Sequence, residues 1–169
     1  DVGEERHLVG FRVVRVFDVS HTDGKPMPPM PDWKSPEKNI ALQRKLIEFA
    51  ENKGIKVTIE SMTGEIQGIS MGGKIKLSPD AGTKTLIHEI AHELLHQMKK
   101  SQMSREEKEM EAEAVGYIVS KFFKINNLAS ANYLSLYGIS SVSIQESFGR
   151  ITQCASEIIR YILREDITG

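Results

Sequence analysis

Cysteine is nearly absent from this chain. Cys154 is the only one in 169 residues, so no intrachain disulfide can form. It sits in an apolar helical stretch, Ile151-Thr-Gln-Cys154-Ala, and reads as a small buried hydrophobe rather than a nucleophile. Long apolar runs are also missing. None approaches the roughly 18 residues that span a bilayer, and no secretory signal pattern is visible. A lone thiol and no leader lead us to expect a cytoplasmic protein without membrane contact. The chain opens on Asp1 rather than Met, so a further upstream segment is expected. An excess of one charge is missing too. Lys and Arg number 22 against 23 for Asp and Glu, and aromatics are only 7%. Single-strand binders combine a basic groove with stacking aromatics. The densest basic runs, Lys99-Lys100 and Lys121 to Lys124, are too short to track several phosphates. These residues alone are not expected to bind nucleic acid tightly.

What remains is an ordinary globular composition, 40% hydrophobic and 27% charged, of a length that suits one domain. Residues 8–20 read as a Val- and Phe-rich strand, within an N-terminal strand region at 1–24. Five of the six prolines lie between Pro26 and Pro36, so 25–36 reads as an extended connector. His7, His21 and Trp33 fall in these segments, and nothing ties them to a site. Residues 37–169 hold the rest of the domain. Ser35-Pro36 predicts a helix start. Leu42, Leu46, Ile47, Phe49 and Ala50 form its apolar stripe, and Gly54 closes it. Ile55, Val57 and Ile59 alternate as in a strand. Two further short strands flank a Gly72-Gly73 hairpin turn. Helical patterns follow from about Gly82 to Lys100 and from Ser104 to Ile125. A capping box at Ser143–Glu146 predicts a last helix, with Ile144, Phe148, Ile151, Ala155, Ile158 and Ile162 on its buried face. The layout is α+β: a small N-terminal sheet containing antiparallel pairs, then a helical C-terminal half.

The chemistry concentrates in Thr85-Leu-Ile-His88-Glu89-Ile-Ala-His92-Glu93-Leu-Leu-His96. On a helix, His88 and His92 lie one turn apart on a shared face. Their ring nitrogens can reach one zinc ion at the usual Zn–N distance of about 2.0–2.1 Å. Glu89 is rotated by about 100° from His88. There it can serve as general base toward a zinc-activated water without ligating the metal, as the H-E-x-x-H pattern requires. The bland alternative is an amphipathic helix with chance histidines. Leu86, Ile87, Ile90, Ala91, Leu94 and Leu95 argue against it, because a helix that apolar is buried and its polar groups need partners.

Catalytic zinc needs a third protein ligand and an open position. His96 lies about 12 Å along the axis from His88, and no glycine folds it back. It reads as a donor that supports a ligand, or as a helix-end residue. Better candidates lie in Glu109-Met-Glu111-Ala-Glu113-Ala-Val-Gly116-Tyr117. Glu109 and Glu113 are one turn apart on a face with Ala112, Gly116 and Ser120, small residues that let another helix approach. Glu111 points the other way, toward Val115, Ile118 and Phe122. Glu106 and Glu107 read as a solvated helix start. Tyr133 and Tyr137, and also Tyr117, are weak candidates for an oxyanion stabiliser.

TLIHEIAHELLH followed by EMEAEAVGYIV resembles the C-terminal metallopeptidase domain of ArdC-type antirestriction proteins. Softer matches are GFRVVRVFDVSHTDG, the helix–strand–hairpin segment 37–78 and ANYLSLYG. ImmA/IrrE-type proteases share a similar two-part pattern. The resemblance implies a zincin fold of the gluzincin type and one Zn2+ ion. It implies Glu109 as the third ligand, with Glu113 as the partner that orients a histidine. Asp is common where this chain has Glu113, and the extra methylene leaves the reverse assignment open.

The expected function is zinc-dependent hydrolysis of a protein or peptide substrate, in antirestriction or the defence of mobile elements. Two rivals stand beside it: an antirestriction module that keeps zinc for structure and acts by binding, and an ImmA-like protease that cleaves a repressor. ArdC-like proteins commonly carry an N-terminal single-strand-binding domain, so contact with nucleic acid would run through an upstream region.

Overall fold

The computed structural model describes Asp23 and residues 37–64, 66–97, 103–125 and 141–168. All of these except Asp23 belong to the second of two compact units, Pro31–Gly169. The expected strand at 8–20, the connector at 25–36, and His7, His21, Trp33, Tyr133 and Tyr137 lie outside the described residues.

The first described helix, α1, is Ile40–Asn52. It begins later than Ser35-Pro36 suggests, because Asn39 caps it and accepts the Leu42 N–H at 3.0 Å. Leu42, Leu46, Phe49 and Ala50 form its buried stripe. Gly54 then takes φ +78°, the left-handed value that ends a helix cheaply only for glycine. Three short strands follow: β1 (Lys56–Ile59), β2 (Gly68–Ser70) and β3 (Lys74–Leu77). Their order is β1-β3-β2, with β1 parallel and β2 antiparallel to β3. The sheet is therefore mixed. Ile75 and Leu77 of the central strand point into the core, while Lys74 and Lys76 face outward. Ile59, at the end of β1, is exposed despite its place in the apolar alternation.

Helix α2, Thr83–His92, continues directly into a π-helical turn at Glu93–Gln97. Helix α3, Arg105–Phe122, opens on a complete capping box between Ser104 and Glu107. Glu106 and Glu107 are exposed, as a solvated first turn should be. Helix α4 spans Ser141–Thr168, two residues ahead of the expected cap at Ser143. Helix α2 packs on α3, α1 and β2, and α4 packs on α3 and α1.

The buried row of α4 runs through Ser147, Ile151, Cys154, Ala155, Ile158 and Ile162. Phe148, expected in that row, is instead 61% exposed. Of the rest of the expected row, Ile151, Ala155, Ile158 and Ile162 are buried. Beside it, Arg150 reaches across to a carboxylate buried in α3, and Ser147 supports that arginine at 3.1 Å. Glu111 is the carboxylate. It is fully buried and accepts the Arg150 Nε at 2.9 Å. Glu111 points away from the metal face, as its helix position predicts, and enters an ion pair with another helix that the sequence does not indicate. No helix among the described residues is long and apolar enough to cross a membrane. The architecture is α+β.

Candidate metal centre

Two parallel rows of side chains on α2 and the π-turn that continues it organise the site. Residues four apart on a helix stack one above the other. The row Lys84, His88, His92 and His96 meets α3, and the row Thr85, Glu89, Glu93 and Gln97 runs beside β2.

On the α3 side, the Nε2 atoms of His88 and His92 are 3.0 Å apart. Glu109 Oε2 lies 3.4 Å from the first and 3.6 Å from the second. These three residues each offer a ligand atom within 4.8 Å of the others. Ligands about 2.05 Å from a tetrahedral zinc stand roughly 3.3 Å from one another. The triad matches that spacing. Two imidazoles and one carboxylate are also a donor set that zinc favours when a position is left for water or substrate.

The outer contacts complete the picture. Glu113 Oε2 is 3.5 Å from His88 Nδ1, and Lys84 Nζ donates to Glu113 Oε1 at 2.5 Å. A carboxylate beside the far nitrogen of a ligand histidine fixes its tautomer and raises its basicity. Gly116 lies where a Cβ would sit 3.9 Å from the His88 Cβ, an ordinary contact. Alanine would fit there, so the small residue eases the helix approach without being required by it.

His96 stands apart from the triad. It lies in the π-turn, and its Nε2 is 3.1 Å from the Lys108 carbonyl oxygen. Its Nδ1 is 3.9 Å from Glu111 Oε2, too far for a hydrogen bond. Burial, and then the neighbouring His92, pushes its pKa down. Tyr117 is exposed, with the Lys121 ammonium 5.7 Å from its ring centroid.

The electrostatics follow from the same contacts. Burial opposes a charge on His88, but the Glu109 and Glu113 carboxylates outweigh it and push its pKa up to about 9. Hydrogen bonding to His88, then to His92, holds Glu109 well below the usual carboxylate range. Burial pushes Glu89 up, while the two histidines and the Ser70 backbone pull it back.

On the β2 side, Glu89 lies against Gly68, and Thr85 Oγ1 is 3.4 Å from Gln67 Oε1. Glu93, not among the residues expected at the site, is buried and accepts four hydrogen bonds from the β2–β3 turn. Its signal was present: an acid one turn beyond Glu89 in a helix too apolar to leave it solvated. The partners it needs lie 20 or more residues away in sequence, and periodicity does not reveal them.

No family model, curated protein or solved structure matches this chain. What the site can do follows from its own residues.

Proposed function

We propose that this chain is a zinc-dependent peptidase of the zincin fold, similar to ArdC-type metallopeptidase domains. His88, His92 and Glu109 hold the metal, Glu113 orients His88, and Glu89 is the general base. One observation supports this reading most strongly. Glu89 stands next to His88 in sequence and against Gly68 of β2, and it is not part of the three-residue cluster. A zinc kept only for structure has no use for it.

Zinc, once held, polarises a carbonyl oxygen and brings the pKa of a water near about 7. The chain's residues supply the rest. Burial raises the Glu89 pKa above the usual carboxylate value, and a stronger base takes a proton more readily. Its carboxylate takes the proton of the attacking water and delivers it to the leaving amine nitrogen. Among the described residues β2 is an edge strand. Its outward backbone groups can pair with an extended peptide, as a strand added to a sheet.

The test compares wild-type protein with Glu89→Gln. Both should carry about one zinc per chain, as a single-site zincin requires. Proteomic analysis of cells expressing each should show new peptide termini only with the wild type. Identical termini in both would remove Glu89 from the chemistry. An antirestriction effect that survives in zinc-loaded Glu89→Gln would favour binding over cutting.

A further inference from the structure

Glu93 follows the ligand His92 directly and is 3% exposed. Its Oε1 accepts from Ser70 Oγ at 2.7 Å and from the backbone N–H groups of Met71 and Gly72 at 2.9 Å each. Its Oε2 accepts from the Gly73 N–H at 2.7 Å. Gly72 and Gly73 take φ +77° and +82°. Consecutive left-handed residues turn successive N–H groups to one side, here onto a carboxylate of the metal-bearing helix. Charge-assisted bonds of this kind are about twice as strong as neutral ones.

The spacing of the contacts matters as much as their number. From Glu89 to Glu93 the helix rises about 6 Å. From Gly68 to Ser70 the strand rises about 6.6 Å. Glu89 meets Gly68 and Glu93 meets Ser70, so strand and helix run side by side with matched repeats. Gln97 extends the row by donating to Ser70 Oγ at 3.3 Å. The strand has only three residues, paired on one side with β3. Such a short edge has little rigidity of its own.

We propose that Glu93 is a positioning residue, which fixes the β2 edge at a set offset from the metal ligands so that an extended peptide paired with β2 presents its carbonyl to the metal. This rests on the peptidase reading above. Glu93 itself touches neither substrate nor metal.

Two probes of zinc-loaded protein test it: acetohydroxamate, which reaches only the metal, and a four-residue peptide hydroxamate, which also extends along β2. In the wild type the longer probe should bind more tightly. Glu93→Ala should lose roughly tenfold of that advantage, the scale of losing a supporting contact, with acetohydroxamate affinity and zinc content unchanged. Glu93→Gln keeps one acceptor oxygen and should lose less. Ser70→Ala removes one donor without touching the helix, and should lower the longer probe's affinity about threefold even if the Glu93 variants fold poorly. Amide exchange at Met71, Gly72 and Gly73 should quicken in the Glu93 variants. If Glu93→Ala and Ser70→Ala keep the full advantage of the longer probe, Glu93 has no positioning role, while the peptidase reading stands. If acetohydroxamate affinity falls in parallel, Glu93 supports the metal instead and the proposal is wrong. Failure of both probes on zinc-loaded wild type would overturn the peptidase reading, and this inference with it.

Discussion

The Glu89 carboxylate rests on the backbone of Gly68. A Cβ there would stand 2.8 Å from Glu89 Cγ and 2.9 Å from its Oε1. Gly68→Ala must therefore move the side chain proposed as base. We expect kcat to fall at least tenfold, since misplacement by about 1 Å costs up to a hundredfold, while zinc content holds. Steady-state kinetics with parallel metal analysis would check this. Unchanged kcat in Gly68→Ala, with Glu89→Gln also active, would mean that Glu89 is not the base.

The two acids of α3 near the histidines are assigned different roles. Glu109→Ala should strip the metal, because it removes one of three ligands. Glu113→Ala should weaken zinc affinity by roughly 10–100-fold, as loss of a ligand's orienting partner does. Competitive chelator titration separates the two. The reverse order would exchange their assignments.

Zinc affinity should depend steeply on pH. The folded, metal-free protein holds a proton on His88 up to about pH 9, against about 6.5 for an unfolded histidine. Metal binding releases that proton. Between about pH 7 and 9, affinity should rise close to tenfold per pH unit. The metal-free fold shows the opposite trend. A folded pKa above the unfolded one contributes stability that is full below about 6.5 and is lost as pH rises through 9. Urea unfolding of the chelated protein across this window should show the decline, and His88→Gln should flatten it.

The Glu111–Arg150 pair is asymmetric, since Glu111 is buried and the Arg150 side chain is 53% exposed. Arg150→Ala leaves a buried carboxylate unpaired and should cost about 3–5 kcal/mol. Glu111→Gln leaves an arginine that water can reach and should cost less. Neither should alter zinc stoichiometry. Chemical denaturation with metal analysis tests both statements.

Burial pushes the Cys154 thiol up to about 12. Native protein should resist iodoacetamide at pH 8 and react only after unfolding, because the thiolate is the nucleophile. Mass spectrometry reads the adduct directly.

His88, Glu89 and His92 were legible as a metal motif because their relationship is local. Four residues make one turn, and the apolar residues between them mark a buried helix. Glu109 was legible as one of two candidates, because an acid on a small-residue face of the next helix has few other uses. The resemblance, rather than the periodicity, ranked it above Glu113.

The sequence by itself determined the helices, the Gly72-Gly73 turn and the motif that places two imidazoles on one face. These depend on propensities and contacts within a few residues, which a linear pattern records. Only the tertiary structure decided that Glu93 grips the β2–β3 turn 20 to 23 residues away. It also joined Glu111 to Arg150 across 39 residues, and it left Phe148 exposed. The contact between His96 and the Lys108 carbonyl belongs to the same class. Each depends on which buried polar group finds which partner. Burial makes an unpaired carboxylate costly, but the identity of its partner is set by packing between distant elements.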